Sequence, residues 1–265
     1  MRANRTFTQY LPTRTCETAT PSVRNLFGHW ARLISLFGAC ALLGGCGAQT
    51  VFKSDFGHLA SPPTPLGSQP VGNLMVDPLS DQYSIADPNG GMVITRSGFP
   101  PGASPTVDRA AVQCNFGRDP YSSSTAPFHG DGTYVFTTFL YMPRGAGAAT
   151  IQFEPFGQPV KDYGKGFLHV DLLPDNMMRL DDNDGTKFGG FPRDQWFFLQ
   201  VTLKITPTPS AHFSLSGAGA SGEKDYNVLP PFVPLARQFG AVRFWIGTPW
   251  NGYYKANTIV VTRSS

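Results

Sequence analysis

The 265-residue chain has no apolar run long enough to cross a bilayer as a helix; the longest, Leu33–Gly45, is 13 residues, where about 20 are needed. A polytopic membrane protein is excluded. Charge is scarce and nearly balanced, at 21 Lys and Arg against 18 Asp and Glu. The small positive excess sits at the start. Residues 1–45 hold Arg2, Arg5, Arg14, Arg24 and Arg32 against Glu17, whereas the other 220 residues hold 16 basic and 17 acidic side chains, a net of −1. That remainder has no basic surplus for a nucleic-acid surface. Proline and glycine, 22 and 25 of those 220 residues, stay below the share that marks low complexity. Phe, Tyr and Trp number 29 there, far too many for a disordered polar tract. About 220 residues are enough to bury one substantial core.

The short apolar run is informative. It follows Arg24 and Arg32 and has the length of a signal-peptide hydrophobic region. Leu43-Gly44-Gly45-Cys46 comes next. This order resembles the lipobox of bacterial lipoprotein precursors, in which small residues admit the backbone to a peptidase and the cysteine thiol accepts the lipid. The resemblance implies a signal peptide over 1–45, a lipid anchor and short tether over 46–50, and a folded domain over 51–265. Forty-five residues is long for such a leader; a misassigned start upstream would account for residues 1–22, and Val23 or Leu26 would each leave an ordinary length. Gly47 follows the cysteine in place of the Asp that favours inner-membrane retention in enteric bacteria. In a Gram-negative host the resemblance therefore implies an exported protein anchored to the outer membrane through lipidated Cys46. Cys16 and Cys40 then leave with the leader and Cys46 is acylated, so Cys114 is left alone and no intramolecular disulfide forms. Cys114 lies in the alternating stretch Ala111–Phe116 with no accompanying His motif, and reads as a small core residue.

From Val51 onward, apolar residues recur with period two between turn signals. The clearest segment is Trp196–Thr206, where Phe197, Leu199, Val201, Leu203 and Ile205 alternate with a mixed polar face. Ten further strands are predicted at Val51–Phe56, Met92–Arg96, Ala110–Asn115, Thr133–Met142, Thr150–Glu154, Phe167–Leu173, Met177–Asp181, Ala211–Ser216, Ala241–Gly247 and Tyr253–Arg263. Turns are predicted at Pro174–Asn176, Asn183–Thr186 and Pro207–Ser210, and one helical turn within Pro231–Phe239. Long connections fall at Gly57–Gly72, Gly98–Thr106 and Gly117–Pro127. Many short strands with crossing loops predict an all-β, two-sheet antiparallel sandwich behind the N-terminal signal-peptide helix.

The order of signals narrows this further. Phe52-Lys53-Ser54-Asp55-Phe56 opens the domain, a strand pair covers Leu168–Asp181, Trp196 leads into the long strand, and Lys255–Arg263 closes it. The pattern resembles the concanavalin A-like lectin/glucanase jelly roll, over roughly residues 50–263. That resemblance implies pairing of the first and last strands and a glycan groove on the outer face of one sheet.

Placing Ile151, Phe153, Leu168, Val170, Leu172, Val242, Phe244 and Ile246 inward turns Gln152, Glu154, His169, Asp171, Arg243 and Trp245 outward. Paired donors and acceptors beside an exposed indole suit sugar hydroxyls and C–H faces. Trp250, Tyr253 and Tyr254 in Thr248–Tyr254 offer a further stacking platform. Glu154, Asp171 and His169 are the candidates for catalysis, since a glycosidase needs two carboxylates at a fixed separation. The glucanase pattern E-x-D-x-x-E is absent, with Glu154 alone in its stretch. Tyr253-Tyr254-Lys255-Ala256 is similar to the Tyr-Phe-Lys-Ala segment of jelly-roll alginate lyases; that family's following Gly-x-Tyr-x-Gln and its Gln-Ile-His motif are missing. The acidic run Asp181–Gly185 lacks the ligand pattern of an EF-hand and reads as a hairpin turn. No histidine has metal-ligand spacing to another His or Cys, and no glycine loop cradles phosphate, so neither metal nor cofactor is implied. Three roles fit: a lipid-anchored domain that binds carbohydrate without catalysis, a glycoside hydrolase or polysaccharide lyase, or a structural or assembly protein of the cell envelope.

Overall fold

The computed structural model describes residues 48–54, 73–76, 83–84, 92–96, 110–116, 130–158, 164, 166–247, 250 and 252–264. The expected signal-peptide helix, Cys46 and the three long connections lie outside the described residues. In chain order the elements are β1 (Gln49–Ser54), β2 (Asn73–Val76), β3 (Tyr83–Ser84), β4 (Met92–Arg96), β5 (Ala110–Asn115), β6 (Gly132–Tyr141), β7 (Ala149–Pro155), β8 (Leu168–Leu172), β9 (Met178–Leu180), β10 (Asn183–Phe188), β11 (Trp196–Ile205), β12 (Ser210–Ser216), β13 (Gly222–Asn227), a 3-10 turn (Pro230–Phe232), α1 (Val233–Ala236), β14 (Phe239–Ile246) and β15 (Gly252–Ser264).

They form two antiparallel sheets. The eight-stranded sheet runs β13-β12-β11-β6-β15-β4-β3, with β1 also paired to β15; the seven-stranded sheet runs β10-β9-β8-β7-β14-β5-β2. Alternation along the strands drives this layering. On β11, Phe197, Leu199, Val201, Leu203 and Ile205 are buried while Trp196, Phe198, Gln200, Thr202 and Lys204 between them are not. The inner faces meet in one core. Phe239 stands near its centre, with ring centroids 4.9 Å from Phe116, 5.1 Å from Tyr134 and 5.5 Å from Phe167. Cys114 lies in this core with a free, fully buried thiol whose pKa burial pushes up, which suits packing and not nucleophilic attack.

All eleven expected strands are present, and β1 pairs with β15 as the jelly-roll resemblance implied. The helical turn falls at Val233–Ala236. Four strands escape the sequence pattern. β10 and β13 have polar, largely exposed sequences, NDGTKF and GEKDYN, and β13 and β10 each end a sheet. An edge strand needs no apolar alternation and is often charged. β2 and β3 are only four and two residues long, and also lie at sheet edges. The turn expected at Asn183–Thr186 is corrected. The reversal is Asp181-Asp182, both at positive φ (48° and 55°), which joins Leu180 to its partner Asn183 as a two-residue hairpin. Residues 183–186 belong to the returning strand, where the Thr186 hydroxyl accepts from the Leu180 N–H at 2.8 Å.

Candidate functional site

Strand register assembles the predicted residues. Arg243 on β14 is paired with Gln113 on β5 and Gln152 on β7, and Gln152 is paired with His169 on β8. One row of polar side chains thus crosses four strands: Gln113, Arg243, Gln152, His169. Two residues along, a parallel row reads Ala111, Trp245, Thr150, Asp171, Arg179. On the other side Asn115, Ala241 and Glu154 form a third. Because side chains alternate with period two, all three rows lie on the face of the seven-stranded sheet turned away from the core. Gln152, Glu154, His169, Asp171, Arg243 and Trp245 therefore share one face of one sheet.

They are not the solvent-facing set that the alternation predicts. Gln113, Gln152, Glu154 and Arg243 are fully buried, and Asp171 and Thr150 nearly so; β7 is buried at every position. Only His169, Trp245, Asn115 and Arg179 keep partial exposure among these rows. Part of the cover comes from the chain after β7. The Gln158 carbonyl accepts from Gln113 Nε2 at 3.0 Å. The backbone of Gly166 lies so close over the sheet that a Cβ there would stand 2.4 Å from Gln152 Nε2 and 2.6 Å from His169 Nε2. Gly247 does the same beneath the Trp245 ring, where a Cβ would approach its Cζ3 to 2.2 Å. Both glycines are required by close approach.

Burying charge without partners is prohibitive, and the buried carboxylates of the layer are each paired with an arginine. An Nη2 of Arg243 lies 3.0 Å from a Glu154 carboxylate oxygen, with both side chains fully buried, and donates to Gln113 Oε1 at 3.0 Å. Gln113 Nε2 also donates to Asn115 Oδ1 at 2.7 Å. In the second row, Thr150 donates to Asp171 Oδ1 at 2.8 Å, and Arg179 reaches Oδ2 through Nε and Nη2 at 3.1 and 3.0 Å. Burial raises the Asp171 carboxyl above its ordinary value, outweighing the hydrogen bonds from Thr150 and Arg179 that pull it down. Arg179 extends outward to Asp182 and Asp184, at 2.8 and 3.2 Å.

The other groupings expected from the sequence do not converge. Glu154 sits four residues along β7 from Thr150, the partner of Asp171. At ~3.3 Å per residue the two carboxylates' strand positions are offset by about 13 Å, beyond the roughly 5–9.5 Å of a glycosidase pair, and each is held by its own arginine. Tyr253–Ala256 lies on β15, in the opposite sheet from His169. Tyr254 is fully buried and directed at the core, so it cannot stack on a ligand; Tyr253 and Trp250 are exposed. Trp250 lies in the loop after β14, with its carbonyl held by the Arg96 guanidinium. The acidic run is turned onto protein donors: Asp181 accepts from the His169 N–H and the Tyr226 hydroxyl, both at 2.7 Å. Among the described residues no group of three or more His, Cys, Asp or Glu is placed to hold a metal.

Several contributors were not singled out in the sequence. Gln113 and Asn115 carry the same period-two signal as Gln152, inside the stretch that marked Cys114. Arg179 sits on the three-residue β9, too short for periodicity. Gly166 and Gly247 have no local signal, since what requires them is the approach of distant side chains.

No protein-family model matches the sequence, nor does any curated protein. Solved structures do match in fold. The carbohydrate recognition domain of Emp47p superposes with a TM-score of 0.51 at 11% identity, covering 83% of this chain and 98% of that one. Lectin I from Ulex europaeus, solved with the methyl glycoside of α-L-fucose, gives 0.48 at 9% identity over 83% and 99%. The family 7 alginate lyase A1-II′ gives 0.44 at 13% identity over 70% and 85%. At such identities the likeness concerns fold. The sandwich expected from the strand order is the lectin/glucanase jelly roll.

Proposed function

We propose that the sandwich binds carbohydrate without catalysis, through the outward face of its seven-stranded sheet, and that it does so tethered to the outer membrane by lipidated Cys46. The observation that carries the binding reading is the in-register polar layer from Gln113 to His169, flanked by Trp245 and Asp171. Buried pairs fix the layer, while His169, Trp245, Asn115 and Arg179 retain surface to offer a ligand. An indole supplies a flat apolar face for sugar C–H groups, and the flanking imidazole, amide and guanidinium supply hydrogen-bond partners for hydroxyls. The arginines are matched by Glu154 and Asp171, so the site suits a neutral glycan better than a polyanion. A carbohydrate recognition domain among the fold neighbours agrees with this reading. The offset of Glu154 from Asp171 weighs against hydrolysis by that pair.

Glycan arrays and pull-downs on cell-wall and exopolysaccharide fractions, run with the full chain, test the binding reading; retention of a glycan class supports it and retention of none defeats it. For the anchor, Cys46→Ala should abolish metabolic lipid labelling and leave unprocessed precursor. Normal processing of that variant would refute the lipobox assignment.

A further inference from the structure

Residues Leu229 to Leu235 read Leu-Pro-Pro-Phe-Val-Pro-Leu, seven consecutive apolar residues without a charge. They lie on the surface. Leu229 is 42% exposed, the highest of the large exposed hydrophobics among the described residues, Pro230, Pro231 and Pro234 are exposed, and Phe232 and Leu235 are partly buried against the core. A contiguous exposed apolar stretch is the mark of an interaction site.

Topology locates it. β13 ends at Asn227, which pairs with Ser210; Lys204 pairs with both Ser210 and Thr133; and Thr133 pairs with Ser264. One end of the eight-stranded sheet is thus a single row from Asn227 to Ser264. The apolar segment continues directly from that row, with the Val228 N–H bonded to the Pro209 carbonyl at 3.0 Å. The chain enters the sandwich at this same end, because Gln49, the first residue of β1, pairs with Arg263. Arg263 in turn donates to the Asp131 carbonyl at 2.7 Å, and the Asp131 carboxylate is paired with Arg237, two residues past Leu235, at 3.2 Å. Cys46 precedes Gln49 by three residues, a reach of at most about 11 Å.

From these observations we infer that Leu229–Leu235 is a membrane-contact surface, seated in the phospholipid interface of the bilayer that holds the Cys46 anchor. This rests on the lipid-anchor reading. A tether so short keeps the Gln49 end of the sandwich against the headgroups, and the uncharged segment is at that end. Lys204 is exposed at the same end and suits phosphate, and prolines keep the segment in a compact turn that presents Leu229 outward. A chain already tethered gains a second point of attachment, as interfacial apolar segments do. The glycan-binding face is then presented on the flank of a domain that stands upright on the membrane.

The test uses the processed full chain carrying a bimane-labelled cysteine, Leu229→Cys at the proposed contact or Ser216→Cys at the far end of β12. Cys114 is buried and Cys46 acylated, so neither competes for label. Each protein is reconstituted in phosphatidylethanolamine/phosphatidylglycerol vesicles containing headgroup nitroxide lipid, and acylation of Cys46 is read by mass spectrometry. Acylated protein should lose fluorescence at 229 and keep it at 216. Acylated protein with neither label quenched, with both quenched equally, or with the 229 label shielded by a second copy in sedimentation overturns the membrane contact and leaves the anchor standing. Unacylated Cys46 removes the anchor and the contact together.

Discussion

Arg243 and Glu154 are both wholly inaccessible to water at 3.0 Å separation, so each depends on the other to offset its desolvation. Removing one partner takes the counter-charge at 3.0 Å away from the other's buried charge. Arg243→Met should destabilise the domain by about 3–5 kcal/mol, and combining it with Glu154→Leu should restore most of the loss; urea unfolding of the two single and the double variants checks both. Gly166 raises a different question, since its added methyl would meet buried Gln152 at both Cγ (2.5 Å) and Nε2 (2.4 Å) and the His169 ring at Nε2 (2.6 Å). A side chain met along its stem cannot simply turn its end aside, so the polar row must shift. Gly166→Ala should therefore destabilise the domain by about 1–3 kcal/mol and weaken glycan binding; urea unfolding and calorimetric titration measure the two. At this scale the sequence was half legible. The alternation of Ile151, Gln152, Phe153 and Glu154 says which residues share a face. It cannot say what lies on top, because the cover at Gln158 and Gly166 comes from chain that has no local pattern of its own.

Among the elements, the β9–β10 hairpin shows how an acidic run is used structurally. Asp181 sits at positive φ in the turn and its carboxylate reaches back to the β8 backbone at His169 and across to Tyr226 on β13, in the other sheet. It ties three strands of both sheets together. Asp181→Ala should cost about 2–3 kcal/mol. Burial, then the hydrogen bond and charge of Asp181, push the Tyr226 phenol well above its ordinary 10.0. Between the unfolded and folded values the native state holds a proton that the unfolded state releases, so this group loses stability as pH rises above about 10. Removing Asp181 should lower the Tyr226 transition in a spectrophotometric titration and lessen that alkaline loss. Strand β11 was legible because five inward apolar residues alternate without a break. β10 and β13 were not, because edge strands bury little and their polar residues look like loop. The turn expected from the sequence lies three residues beyond the observed Asp-Asp reversal, since Gly185 advertises a turn more strongly than Asp182 does while the register obeys the pairing of Leu180 with Asn183.

For the whole molecule, a lectin/glucanase jelly roll, a basic N-terminal segment ending in Leu-Gly-Gly-Cys and a nearly neutral remainder combine into one proposal: an anchored sandwich whose long strands run away from the bilayer and whose seven-stranded sheet offers a glycan face at its side. The exposed Trp250 and Tyr253 lie toward the opposite end from Gln49 and provide an internal control, since they are aromatic and accessible but outside the polar rows. The most direct measurement is a glycan array probed with the wild-type chain, Trp245→Ala and Trp250→Ala, each verified as folded. Wild type and Trp250→Ala should retain the same glycan class, and Trp245→Ala should lose it. Binding that survives Trp245→Ala but disappears with Trp250→Ala would contradict the assignment of the site to the outward face of the seven-stranded sheet.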